Sequence, residues 1–126
     1  MVCRGIRGAI DVRSNEAEAI LEATRALLER MVAANHVKIE GIASVTFTTT
    51  ADLDAVYPAR AARDMGWTHV PLLCMQEMAV KGSLPRCIRV LMLWNTELSP
   101  TQIQHIYLGK ARTLRPDLVV EGEMLS

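Results

Sequence analysis

Arg89 stands inside the most apolar stretch of the chain, Cys87-Ile88-Arg89-Val90-Leu91-Met92-Leu93-Trp94, and no acidic residue lies within it. The stretch reads as a buried strand. A guanidinium stays protonated at any working pH, so burying it without an anion costs several kcal/mol or more. The counter-charge is either a carboxylate from elsewhere in the chain, for which Glu77 is the candidate, or an anionic ligand. Other arginines stand where a ligand would have room: Arg7 on a face of small residues (Cys3, Gly5, Ala9), Arg60 and Arg63 three apart after Pro58, and Arg115 near the C-terminus. Forked cations around one carboxylate suit a small di-anion, with Glu77 accepting a hydrogen bond from a hydroxyl. The plainer reading pairs Arg89 structurally with Glu77 and leaves the other arginines solvated.

Other chemistries are excluded by spacing. His36, His69 and His105 are isolated from one another and from Cys3, Cys74 and Cys87, so no metal-ligand pattern forms. Gly5 and Gly8 fall inside a strand pattern rather than at a strand-to-helix turn, and there is no G-x-S-x-G elbow. Cys74 reads as a core thiol, since nothing in the sequence brings a base to it.

Positive and negative side chains balance at 14 each, which leaves no global field to attract nucleic acid or an acidic membrane. The 11 Arg against 3 Lys favour bidentate anion recognition, although genome composition produces the same bias. An odd cysteine count, no signal-peptide pattern and no apolar run near ~20 residues lead us to expect a cytoplasmic protein.

At 126 residues the chain is expected to be one domain, 1–126. Period-2 alternation predicts strands over 2–10 and 42–50, the second with Ile42, Ser44, Thr46 and Thr48 on one side. Between them Ser14 or Asn15 can cap a helix whose apolar stripe, Ile20 to Val32, runs to about Asn35. Pro58 and Gly66 bracket a short helix that puts Arg60 and Arg63 on one face. Pro71 makes 67–75 an edge strand or extended segment rather than a central strand; 81–85 reads as a turn or mobile loop and 87–94 as a strand. Ser99-Pro100 starts a predicted helix carrying Ile103, Ile106 and Tyr107, with Gly109 near its end. A loosely anchored, mobile tail is expected from about 111. The fold class is α+β. One long helix with three or four strands cannot cover both faces of a sheet, so a homo-oligomer is expected.

Five blocks carry a resemblance that spans nearly the whole chain: Arg4-Gly5-Ile6-Arg7-Gly8-Ala9; Val56-Tyr57-Pro58-Ala59-Arg60-Ala61 with Arg63; Val70-Pro71 leading to Cys74-Met75-Gln76-Glu77-Met78; Cys87-Ile88-Arg89-Val90; and Ile106-Tyr107-Leu108 with Leu114-Arg115-Pro116-Asp117-Leu118. In this order they resemble the trimeric, monofunctional class of chorismate mutase, not the all-helical class. The resemblance implies a mixed sheet packed on one long helix plus short helices, assembled as a pseudo-α/β-barrel homotrimer with active sites at subunit interfaces. It implies an isomerase of Phe and Tyr biosynthesis that converts chorismate to prephenate without metal, cofactor or covalent intermediate.

By matching position, Arg89 would meet the ether oxygen that gains charge in the transition state, Glu77 the ring hydroxyl, and Arg7 a substrate carboxylate, assisted by Tyr107. Tyr57, Ala59, Arg60 and Arg63 would come from the neighbouring subunit. Leu73 and Cys74 would contribute backbone and packing, and Leu114 and Arg115 a tail that orders over substrate. The chain departs from the family pattern with Tyr57 for Phe, Arg60 for Lys and Leu72-Leu73 for Val-Thr, and none of these removes a charge. Fold does not dictate function, so two alternatives stand beside this reading: a non-catalytic trimeric binder of a small carboxylated metabolite, and an imine deaminase of similar trimeric architecture.

Overall fold

The computed structural model describes residues 1–115. Its elements are β1 (Val2–Asp11), α1 (Ala17–Asn35), β2 (Ile42–Thr49), α2 (Ala59–Asp64), β3 (Leu72–Gln76), β4 (Cys87–Thr96) and β5 (Ile106–Leu108), with short 3-10 turns at Ile39–Gly41, Pro100–Gln102 and Gly109–Thr113. Among the described residues the strands form one mixed sheet in the order β3-β2-β4-β1-β5. β4 is antiparallel to both β2 and β1, whereas β3 and β5 run parallel to β2 and β1 respectively. The edge position of β3 agrees with Pro71 just before it.

One face of this sheet is covered. Along β4, Ile88, Val90, Met92 and Trp94 point into the core and meet the α1 stripe of Ile20, Leu27, Leu28 and Met31, together with Ile6, Val45 and Phe47. The contact is close at β1: a Cβ on Gly8 would sit 2.5 Å from Met31 Sδ. The alternate residues Arg89, Leu91 and Leu93 lie on the opposite, open face, with Leu91 43% exposed. The stretch read as a buried strand is thus buried on one face within the chain: an apolar run looks uniformly buried even when only every second residue is covered.

Three local departures have identifiable causes. Residues 100–109 are not a helix. Ser99 N–H does bond Gln102 Oε1 at 2.8 Å, but the turn ends there, and the unpaired edge of β1 takes Ile106, Tyr107 and Leu108 opposite Gly8, Ala9 and Ile10. Asn35, at the end of α1, steers the approach by bonding both the N–H (2.8 Å) and the C=O (2.9 Å) of Gln104.

The second departure is at the start of α1, where neither Ser14 nor Asn15 is the cap; Glu16 holds that position without a side-chain capping bond. Asn15 Oδ1 instead accepts from the N–H groups of Asp54 (3.0 Å) and Ala55 (3.1 Å), and its Nδ2 donates to Asp54 Oδ1 (2.7 Å). Third, a bulge between Ile42 and Ser44 turns Ile42 to the core side, breaking the alternation that grouped it with Thr46 and Thr48.

Candidate active site

Strand register lays out the open face, because residues paired across a ladder project to the same side. Arg89 pairs with Thr48 on one side and Ala9 on the other, and Ala9 pairs with Tyr107. Thr48, Arg89, Ala9 and Tyr107 thus form one transverse row, with Arg89 and Tyr107 two strand spacings, or roughly 10 Å, apart. Arg7 lies two residues from Ala9 on the same face, opposite Leu91.

Glu77 follows β3 directly, and its N–H continues the ladder to Thr49 O at 2.8 Å. That placement brings Glu77 Oε1 to 3.4 Å from Arg89 Nε, with the two side chains 30% and 36% exposed. The pair is neither fully buried nor free in solvent. A half-open pair contributes little to stability, and the open side leaves guanidinium N–H groups and a carboxylate oxygen able to meet a ligand.

The far side of this face is closed by the segment after β5. Leu114 and Leu84 pack on a small cluster of Ala9, Tyr107 and Ala111, and Ala111 is buried within the 3-10 turn Gly109–Thr113. The turn begins at Gly109, whose φ of +58° suits glycine, and Asp11 Oδ1 accepts the Lys110 N–H at 2.8 Å. The segment delivers Arg115 toward His105. Burial first, then the Arg7 and Arg115 guanidiniums, hold that imidazole's pKa below its ordinary value.

A second group gathers at the opposite edge of the sheet. Tyr57, Ala59, Arg63, Leu72, Leu73 and Cys74 line a cavity of about 370 Å³ between α2 and β3. A larger cleft of about 600 Å³ adjoins it, walled by residues 49–51 and 53–58 with Cys74, Met75 and Gln76. Tyr57 is 72% exposed at the rim. Arg60 does not line the smaller cavity with Arg63, since its Nε lies 3.8 Å from Asp64 Oδ2 one turn on. Cys74 faces the α2 side, opposite Phe47 in the ladder; burial raises its thiol pKa, against the opposing effects of a hydrogen bond with the Ala59 backbone and the Arg63 charge.

The residues singled out in the sequence therefore fall into two groups within one chain. Arg7, Glu77, Arg89, Tyr107, Leu114 and Arg115 form one; Tyr57, Ala59, Arg63, Leu73 and Cys74 form the other, with Arg60 beside it. Three residues of the first group's surroundings were not signalled by sequence. Thr48 is adjacent to Arg89, and its Oγ1 is buried with no hydrogen-bond partner among the described residues. Cys87 lies beside Arg89, and burial pushes its thiol up to about 11 despite that guanidinium. His105 Nδ1 accepts the Arg7 backbone N–H at 2.9 Å. Topology brings Thr48 and His105 to the site, whereas Cys87 shares the face of Arg89 by the two-residue period of β4. Among the described residues no group of three or more His, Cys, Asp or Glu could hold a metal ion, and no helix is long and apolar enough to cross a membrane.

Residues 3–118 match the family model described as chorismate mutase type I. The chain is 48% identical over 119 residues to the chorismate mutase AroH of Bacillus subtilis, covering 94% of each protein. It is 53% identical over 116 residues to the chorismate mutase AroH of Thermus thermophilus, covering 91% of this chain and 95% of that protein. A solved structure of a chorismate mutase from Clostridium thermocellum superimposes with a TM-score of 0.86 at 46% identity, covering 87% of this chain and 98% of the other.

Proposed function

Because this chain belongs to the type I chorismate mutase family, and is a chorismate mutase and thus an isomerase of aromatic amino-acid biosynthesis, we propose that its two groups of residues are the halves of one interfacial active site. Chorismate carries two carboxylates, a ring hydroxyl and an ether oxygen. Its rearrangement to prephenate breaks a C–O bond as a C–C bond forms, and negative charge grows on the ether oxygen on the way. Arg89 is the group for that oxygen. Glu77 accepts from the ring hydroxyl, Arg7 binds a carboxylate with Tyr107 beside it, and Leu114 and Arg115 close over the substrate. Tyr57, Ala59, Arg60, Arg63, Leu73 and Cys74 supply the opposite wall from a neighbouring subunit.

The observation that carries this reading is the Arg89–Glu77 pair, 3.4 Å apart and open on the ligand side. Its acceptor and its donor match the two polar groups at the reacting end of the substrate, so the two candidate counter-charges for Arg89 are satisfied together. Catalysis here is positioning plus electrostatics. An acceleration of ~10⁶ needs about 8 kcal/mol off the barrier, and one preorganised charged donor at the developing oxyanion supplies roughly 3–4 kcal/mol in a water-poor pocket. Restricting the substrate to its folded, reactive conformer supplies the remainder. No proton transfer and no cofactor enters this scheme.

The assembly proposed is a homotrimer, working in the cytoplasm. The second group gathers about α2 and β3 at one edge of the sheet, whereas Arg7 and Tyr107 of the first lie toward the β5 edge, with the Arg89–Glu77 pair between them. A head-to-tail contact that joins unlike edges closes into a ring, and such a ring also covers the open face that bears Leu91.

The test is a chorismate assay without added cofactor, followed by loss of substrate absorbance, on the wild type and Arg89→Lys. The wild type turns over. Arg89→Lys keeps its melting temperature and loses roughly 100-fold or more in kcat, because a compact ammonium cannot reproduce directed guanidinium donors. Near-normal kcat in that variant defeats the assignment of Arg89.

A further inference from the structure

His105 stands immediately before β5 and beside Arg7. The backbone ladder of β1 with β5 begins at Gly8 opposite Ile106, so the Arg7 N–H falls one step before the first pair. The imidazole fills that step, its Nδ1 accepting the Arg7 N–H at 2.9 Å across 98 residues of sequence. The acceptor nitrogen carries no proton, which requires a neutral ring. The chain on the N-terminal side of His105 is held by Asn35, through both backbone groups of Gln104, so the imidazole is presented from a fixed support.

We propose that His105 is a positioning residue of this enzyme: its neutral imidazole fixes the backbone at Arg7 and thereby aims the Arg7 guanidinium at the substrate carboxylate. The proposal rests on the assignment of Arg7 to that carboxylate. Protonation of Nδ1 would set donor against donor and release the latch. It would also add a third positive charge beside two others, for the charged groups facing the ring are Arg7 from β1 and Arg115 beyond the Gly109–Thr113 turn. Burial and these two guanidiniums favour the neutral form, so the latch is intact at neutral pH. Because the folded-state pKa lies below the ordinary 6.5, the latch and its contribution to stability are present above that pH and are lost as pH falls through the lowered value.

The experiment measures kcat and KM for chorismate between about pH 5 and 8 for the wild type, His105→Ala, His105→Asn and Arg7→Ala, with a thermal melt of each. His105→Ala raises KM roughly three- to tenfold with a smaller change in kcat, the effect of one lost hydrogen bond on a binding group. His105→Asn can place an amide oxygen where Nδ1 lies; it recovers most of the affinity and removes the acid limb of kcat/KM. Wild-type KM in His105→Ala, an acid limb that survives in His105→Asn, or a wild-type kcat/KM that rises on acidification each overturns the proposal. If His105→Ala does not fold, His105→Asn and the pH profile decide alone. An unchanged KM in Arg7→Ala defeats the carboxylate assignment itself; a raised one alongside a wild-type His105→Ala defeats only the role of His105.

Discussion

At the scale of single residues, the informative contrast is between Arg89, which the sequence announced, and Thr48, which it did not. A charge in an apolar strand is visible without any structure, because no arrangement of that strand alone can neutralise it. A threonine in a β-branched run is what any strand contains. Only the register opposite Arg89 and the burial of Oγ1 without a partner distinguish it. An unsatisfied buried hydroxyl costs about 1–3 kcal/mol, so Thr48→Val, which keeps shape and β-branching, is expected to hold or raise the melting temperature and to leave kcat unchanged. A lower melting temperature would mean that the assembled protein gives this hydroxyl a partner. Cys74 was half legible: with no base in view it read as a core thiol, yet it is partly exposed and lines both clefts beside α2, burial still raising its pKa.

Among the elements, those whose signal is a repeated pattern were legible, and those decided by a remote partner were not. α1 and the strands β1, β2 and β4 follow the apolar periodicity of their own residues to within a few positions. β5 does not, because Ile106, Tyr107 and Leu108 become a strand only through the free edge of β1, nearly a hundred residues earlier in the chain, as the register Ala9 to Tyr107 shows. Asn15 misled in a related way, since its capping chemistry is used on the 54–55 backbone instead of on its own helix. The turn that carries Leu114 and Arg115 offers a test at this scale. Gly109 has φ of +58°, and a Cβ there would collide with the Asp11 carboxylate that holds Lys110. Gly109→Ala should raise KM for chorismate several-fold while kcat stays within a modest factor. A collapse of kcat with unchanged KM would place Arg115 among the groups that act on the transition state. The tail beyond 115 lies outside the described residues.

For the whole molecule, the α+β class was legible in the mixture of one long helix with several strands, and the shortage of helix to cover both sheet faces is what argues for the proposed oligomer. The proposed division of the site was not legible: it depends on α2 and β3 standing at the edge away from β5, which is a matter of topology. The division makes a quantitative prediction. Two inactive chains, Arg63→Ala from one half and Arg89→Ala from the other, should regain activity when unfolded together and refolded as a mixture. Random assortment in a ring gives roughly a quarter of interfaces two intact halves. Activity no greater than that of the separate variants would mean that each site is built within one chain.

The order of the strands in the sheet also bears on how the chain can be made. Among the described residues β1 pairs with β4 and β5 alone, whose first contact with it, Cys87 opposite Asp11, lies 76 residues downstream. During synthesis at about 5–20 residues per second, residues 2–11 therefore wait on the order of 4–15 s without a backbone partner. An apolar strand left waiting is a template for pairing with a neighbouring nascent chain. Arg4 and Arg7 interrupt that template on either side of Gly5-Ile6, so the arginine proposed to bind the substrate carboxylate also puts a charge where a second nascent strand would have to pair.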